Sequence, residues 1–129
     1  MSSMLLRPSS GGRCPTFLTI GHVTRDLLSD ATFTLGGTVT FAALTAYHLG
    51  LDAALVTCAD ESLLAQLSSL LPEIALAARS APVTTTFENS YDAAGFRTQY
   101  LHYLSRWRPC WSRRGITVAG RAGRFLGLF

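Results

Sequence analysis

The chain has 129 residues, enough for one domain with a modest core, and 48% of them are hydrophobic, which argues against wholesale disorder. Its formal charge of +3 hides a split: residues 1–104 hold five Arg and eight acidic residues, whereas residues 105–129 hold six Arg and no acid. Cys14, Cys58 and Cys110 lie far apart, without metal-ligand spacing; with no secretory leader in sight they fit a reducing, cytoplasmic setting.

Residues 1–15, mostly Ser, Gly, Pro and Arg, read as a flexible leader. Phe17-Leu18-Thr19-Ile20 is a short predicted strand ending at Gly21. Asp26 follows, just beyond that strand, where open α/β sheets place ligand-binding groups. Phe33-Thr34-Leu35 is a second short strand leading into Gly36-Gly37. Two glycines allow positive φ and leave no side chain between main-chain N–H groups and a ligand. Thr38 is the expected N-cap of a helix with Val39, Ala42, Ala43, Ala46 and Leu49 as its apolar stripe, closed by Gly50. Residues 31–51 carry no charge, but five Thr, three Gly and His48 argue against a membrane span.

Ala53 to Cys58 is a near-continuous apolar run, the pattern of a strand covered on both faces. Asp60 is placed to cap a second helix, whose expected buried face is Leu63, Leu64, Leu67, Leu70 and Leu71, with Pro72 as its stop. Ile74 to Ala77 reads as a further strand. The succession β-turn-α-β-α-β over 17–77 argues for a mainly parallel sheet with covering helices. Beyond it, Thr84-Thr85-Thr86-Phe87-Glu88-Asn89, the turn Asp92-Ala93-Ala94-Gly95, and Phe96-Arg97-Thr98-Gln99-Tyr100-Leu101 form a hairpin of mixed polarity on both faces. Such a hairpin suits a flap over a sheet edge better than a core. Taken by their residues, His22 is either a ligand contact near Asp26 or, the favoured reading, a plain loop histidine, while His48 is a solvent-side helix residue and Cys58 a small buried hydrophobe.

These pieces, in this order, resemble the N-terminal half of a PfkB/ribokinase-type carbohydrate kinase. The residues carrying the resemblance are the strand leading to Asp26, the Gly36-Gly37 turn, the helix ending in Leu49-Gly50, the Leu55-Val56-Thr57 strand, and the hairpin. The resemblance implies an α/β, ribokinase-like fold: a partial, mainly parallel sheet with covering helices and a β-hairpin lid at about 83–102, within an incomplete domain of residues 16–103. It also implies substrate-binding roles for Asp26, as acceptor of sugar hydroxyls, and for Gly36 and Gly37, whose main chain approaches the same substrate. ATP and Mg²⁺ are implied for the intact family, and neither is expected to bind this chain well. Many relatives carry an Asn four residues after the second glycine, where this chain has Phe41. The strand after the helix leads to Thr57-Cys58-Ala59-Asp60, only an approximate Gly-x-Asp turn.

The family's catalytic segment, an Asp-Thr-x-Gly-Ala-Gly-Asp-like stretch supplying anion hole and general base, has no counterpart in residues 103–129, and no Asp follows Asp92. No catalytic residue and no metal ligand is therefore assigned. Residues 104–129 hold both Trp residues among their arginines. They read either as a basic, aromatic-interleaved tail for nucleic acid or an anionic surface, or as the product of a shifted reading frame in a GC-rich gene. The absence of Lys and the end of the resemblance at about His102 favour the second.

The expectation is a substrate-binding fragment of a sugar or nucleoside kinase, inactive by itself. The intact parent would transfer the ATP γ-phosphoryl to a sugar hydroxyl. The alternatives are a non-catalytic polyol-binding module and a basic-tailed nucleic-acid or membrane-surface binder. The expected partner is a small-molecule sugar or nucleoside, with no specific nucleic acid and no membrane. Self-association through an exposed sheet edge or the lid is also expected, because strands left without neighbours expose backbone and apolar surface.

Overall fold

The computed structural model describes residues 14–105 in full, and Met4–Arg7 and Leu126–Leu128 as backbone strands. In chain order the elements are β1 (Met4–Arg7), β2 (Phe17–Ile20), β3 (Thr24–Leu27), β4 (Phe33–Gly36), α1 (Thr38–His48), β5 (Ala53–Ala59), α2 (Glu61–Leu70), β6 (Ala75–Ser80), β7 (Thr85–Tyr91), β8 (Arg97–Tyr103) and β9 (Leu126–Leu128). They form two sheets. The larger runs β1-β6-β5-β2-β9, and the smaller runs β4-β3-β7-β8.

The larger sheet is mainly parallel, as its sequence implies. β2 pairs in parallel with β5, β5 with β6, and β9 with β2; only β1 runs antiparallel, beside β6. Every residue of β5 is buried, which explains its unbroken apolar run. Two short pieces thus join the sheet from regions read as leader and tail. Apart from residues 14–15 and 104–105, the remaining residues of those regions lie outside the described ones, as does the basic Trp-containing stretch.

Helices α1 and α2 pack their apolar sides on this sheet, and Val39, Ala43, Ala46, Leu55, Leu63, Leu67, Leu71 and Ile74 belong to one core cluster. The start of α1 differs from expectation. Gly37, at φ 98°, is the N-cap, and its carbonyl accepts from the N–H groups of Thr40 (3.0 Å) and Phe41 (3.3 Å). Thr38 is therefore already helical, and no side chain caps the end. The buried face is Val39, Thr40, Ala43 and Ala46, whereas Leu49 is 76% exposed. Leu49 is the C-cap, so the helix has ended before its side chain can turn inward. Gly50, at φ 84°, reverses the chain: its N–H reaches the Tyr47 carbonyl at 2.9 Å and that of Leu51 reaches Ala46 at 3.0 Å, a Schellman closure.

Asp60 caps α2 as expected, its Oδ1 accepting from the Leu63 N–H at 3.0 Å. Leu63, Leu64 and Leu67 are buried, but Leu70 is 41% exposed. The chain leaves the helix after Leu70, and the buried Leu71 takes the inward place. β6 begins at Ala75 and continues to Ser80, beyond the expected Ala77.

The smaller sheet is the larger correction. The lid is not a hairpin alone: β3 pairs in parallel with β7 and antiparallel with β4, so four strands make it. Asp26 consequently stands inside its own strand rather than in a loop after β2.

Candidate functional site

β2 stops at Ile20, and after a bend at Gly21 the chain enters β3 of the smaller sheet. Register decides what faces the space between the two sheets. In β3, Thr24 and Asp26 point one way and Arg25 the other, since side chains alternate along a strand. Across the parallel pair, Thr24 lies beside Thr85 and Asp26 beside Phe87. Further along, Asn89 lies opposite Gln99 and Tyr91 opposite Arg97. The concave side of the lid is thus Thr24, Asp26, Thr85, Phe87, Gln99 and Arg97, and all six line a cavity of about 800 Å³. The floor is the end of β2 with Gly21 and His22, and the start of α1 with Gly37, Thr38, Val39 and Phe41.

Gly36 and Gly37 are fixed by contact as much as by conformation. A Cβ on Gly36 would overlap the Asp26 carboxylate and stand 2.7 Å from Thr24 Oγ1. A Cβ on Gly37 would stand 2.6 Å from the His22 carbonyl oxygen, at a φ that side chains rarely adopt. The bare backbone of β4 therefore lies against the carboxylate, and the first turn of α1 opens beside it. The Thr24 hydroxyl donates to Asp26 Oδ1 at 3.1 Å, which orients the carboxylate and leaves acceptor capacity facing the cavity. Thr40 Oγ1 donates back to the Gly36 carbonyl at 2.8 Å, holding the turn from below.

All three residues singled out from the sequence, Asp26, Gly36 and Gly37, come together here. His22, read as a plain loop histidine, lines the cavity, and its burial lowers its pKa and favours the neutral ring. Phe41 stands at the cavity edge, 59% exposed. His48 is exposed on α1 and Cys58 is buried in β5, both as expected.

Sequence reasoning missed Thr24, Thr85, Phe87, Gln99 and Arg97 as a lining set. Alternation grouped Thr85 with Phe87 on one hairpin side, but only the pairing of β3 with β7 shows that this side faces Asp26. Among the described residues, Asp26 is the only acidic side chain lining the cavity, and Arg97 the only Arg. Among the described residues no group of three or more His, Cys, Asp or Glu side chains is placed to hold a metal ion. No described helix is long and apolar enough to cross a membrane.

Behind the cavity, Arg25 forms a two-pronged ion pair with Asp60: Nη1 contacts Oδ2, and Nη2 lies 2.9 Å from Oδ1. The guanidinium also lies over the Phe33 ring, 5.2 Å from its centroid. Burial alone would raise the Asp60 pKa, but hydrogen bonds from Arg25, Thr84 and the Leu63 N–H outweigh it and hold the pKa at about 2.

No protein-family model matches the sequence, and no curated protein does. Solved structures do. A pyrophosphate-dependent kinase of the ribokinase family in a sulfate complex is 25% identical, with a TM-score of 0.58 over 70% of this chain and 34% of that one. A pyrophosphate-dependent ribokinase-family kinase, complexed with a pyrophosphate analogue and myo-inositol, is 20% identical, with a TM-score of 0.55 over 70% and 33%. A myo-inositol-1 kinase converted into a myo-inositol-3 kinase by two leucine substitutions is 22% identical, with a TM-score of 0.53 over 70% and 31%. The chain therefore spans about a third of the length of the structures it matches. With its parallel sheet, its lid and the diglycine turn where they meet, this chain has the fold of an N-terminal part of a ribokinase-family kinase.

Proposed function

We propose that this chain is the substrate-binding part of a carbohydrate kinase, and that it holds a small polyol between the lid and the start of α1. The observation that carries the reading is the Asp26 carboxylate, held by Thr24 on one side and laid against the side-chain-free Gly36 on the other. An ionised carboxylate accepts two neighbouring hydroxyls through charge-assisted bonds, which are stronger than neutral ones. Main-chain N–H groups opened by Gly37 at the start of α1 supply donors to the hydroxyl oxygens. Phe87 and Phe41 give the C–H faces of a ring an apolar surface. The matched kinase bound to myo-inositol supports a sugar, nucleoside or cyclitol as ligand.

The intact protein, in this reading, transfers a phosphoryl group from ATP with Mg²⁺ to one hydroxyl of the polyol. The matched kinases that use pyrophosphate make pyrophosphate the donor to test beside ATP. The donor would supply the phosphoryl group, and the Mg²⁺ bound with it the positive charge that stabilises the transfer. In this reading the donor is held by a part of the intact kinase that this chain does not span. What the described residues do is bind the acceptor, orient it and exclude water under the lid.

The test is calorimetric titration of the full chain with myo-inositol, D-ribose and adenosine, repeated with Asp26→Asn. Saturable binding of at least one polyol is expected, weakened by about tenfold or more when the charge is removed, as for loss of a charge-assisted bond. No binding of any of the three, or equal binding by the variant, overturns the reading. Turnover assays with ATP and with pyrophosphate separate a working kinase from a polyol-binding module without chemistry.

A further inference from the structure

On the strand that carries Asp26, the next residue back makes a two-pronged polar contact, and it does so away from the cavity. Arg25 points to the opposite side of β3, where both its terminal nitrogens meet the Asp60 carboxylate and its plane lies over Phe33. Both partners are mostly shielded, with side-chain exposures of 18% and 19%. A two-pronged Arg–carboxylate pair fixes distance and plane together, which a single contact does not.

What it joins is as telling as its geometry. Arg25 belongs to the smaller sheet, whereas Asp60 sits between β5 of the larger sheet and α2, whose N-terminus it caps. The Asp60 N–H is itself held by the Thr84 hydroxyl at 2.9 Å, immediately before β7 enters the lid. Asp60 is therefore tied to its own helix, to the root of β7 and to the back of β3. Asp26 has no comparable anchor of its own. Its oriented contact is the 3.1 Å bond from Thr24, another residue of the same strand.

We propose that Arg25 and Asp60 are positioning residues for polyol binding: their pairing behind β3 sets where the Asp26 carboxylate stands over the cavity. The inference rests on the polyol reading above for its consequence, but its structural content concerns the carboxylate itself. Loss of the pair lets β3 shift against α2, and Asp26, one residue away on the opposite face, moves with it. A lysine at position 25 keeps the charge but gives up the fork and the planar stacking, so it restores the placement only in part.

The experiment compares the full chain with Arg25→Met and Arg25→Lys in ¹³C-labelled protein. It follows the side-chain carboxyl signal of Asp26 without ligand, then myo-inositol affinity well below each variant's melting temperature. In Arg25→Met the Asp26 signal is expected to move further than that of Asp92 at the lid tip, and affinity to fall about tenfold or more, as mispositioned binding groups do. Arg25→Lys should lie between Arg25→Met and the parent on both readouts. If Arg25→Met does not fold, the displacement of Asp26 in Arg25→Lys decides. A lowered melting temperature with an unmoved Asp26 signal would show the pair to be a clamp on the fold alone and would overturn the proposal. If the parent chain binds none of myo-inositol, D-ribose and adenosine, the polyol reading fails by its own test, and the carboxyl signal alone still decides whether Arg25 places Asp26.

Discussion

Along β7 the surroundings change within a few residues: Thr85 and Thr86 are each 5% exposed, whereas Tyr91, at the other end of the strand, is 65% exposed. The same contrast runs across the lid. At its root, hydroxyls of Thr57, Thr84 and Thr85 accept the main-chain N–H groups of Val23, Asp60 and Ser105 at 3.0, 2.9 and 3.0 Å. Strands that pass from one sheet to another leave their ladders there, and a buried N–H without an acceptor is costly. Threonine meets both needs, with a branched side chain suited to a strand and a hydroxyl suited to an orphan donor. At the tip, every residue of β8 is exposed, and the side-chain bonds are local: Asp92 Oδ1 takes the N–H groups of Ala94 and Phe96, both at 2.9 Å. One sheet thus has a base that carries Asp26 and whose main-chain donors are satisfied by hydroxyls, and an end that is solvated.

The strongest challenge to that division is at Gly36. In Gly36→Ala the added methyl meets the Asp26 carboxylate and the Thr24 hydroxyl, both fixed at the root. Chemical denaturation should show a loss of about 3 kcal/mol, the upper part of the range for overpacking, together with loss of polyol binding. Gly95→Ala at the tip, where φ is 83° but nothing lies within 4 Å, should cost only the backbone term, about 1–2 kcal/mol. Equal costs would erase the distinction between root and tip.

A smaller effect is expected at Thr84. Thr84→Val keeps the shape but strands the Asp60 N–H, which should cost about 1–3 kcal/mol in the same denaturation measurement. Thr84→Ser should recover most of it, because the hydroxyl is what the root requires. If valine is tolerated as well as serine, the threonines at the root are there for their branching alone.

The acid limb sharpens the comparison further. Asp60 has a folded pKa of about 2 against an ordinary value of 3.8. A carboxylate whose pKa is depressed by folding adds stability above its unfolded pKa and loses it as pH falls through the folded one. Melting temperature should therefore decline between about pH 4 and pH 2. In Asp60→Asn that decline should be shallower. An unchanged acid limb would mean that other carboxylates govern it.

How far the sequence reveals this arrangement follows the same line. The parallel sheet is legible because β5 is an unbroken apolar run and Asp60 carries a helix-capping signal that the structure repeats. Asp26, Gly36 and Gly37 were recognisable through their order and spacing. Thr38 and Leu49 misled because helix ends depend on where the glycine turns place the backbone, a matter of one residue that apolar spacing does not resolve. The four-stranded lid was invisible for a deeper reason. The pairing of β3 with β7 joins residues some sixty positions apart, Thr24 with Thr85, and local pattern carries no information about it. Arg25 and Thr84 gain their meaning only through such distant contacts, so no reading of their neighbours in sequence could have found them.

The smallest expected effect lies on the outer face of the lid, in the pair of His102 Nε2 and Glu88 Oε2 at 2.8 Å, with side-chain exposures of 41% and 48%. Glu88 and His102 face away from the cavity-lining side of β7 and β8, so the pair neither touches the ligand space nor supports Asp26. Water competes for both partners, and exposed ion pairs contribute about 0–1 kcal/mol. Glu88→Gln should therefore change denaturation stability by less than about 0.5 kcal/mol, and added salt should shrink even that difference. Polyol affinity should be untouched. A loss as large as that in Thr84→Val would mean that strain on the outer face is felt at the base. The lid would then behave as one cooperative unit, and its closing over a ligand would have to draw on the same contacts that hold Asp26 in place.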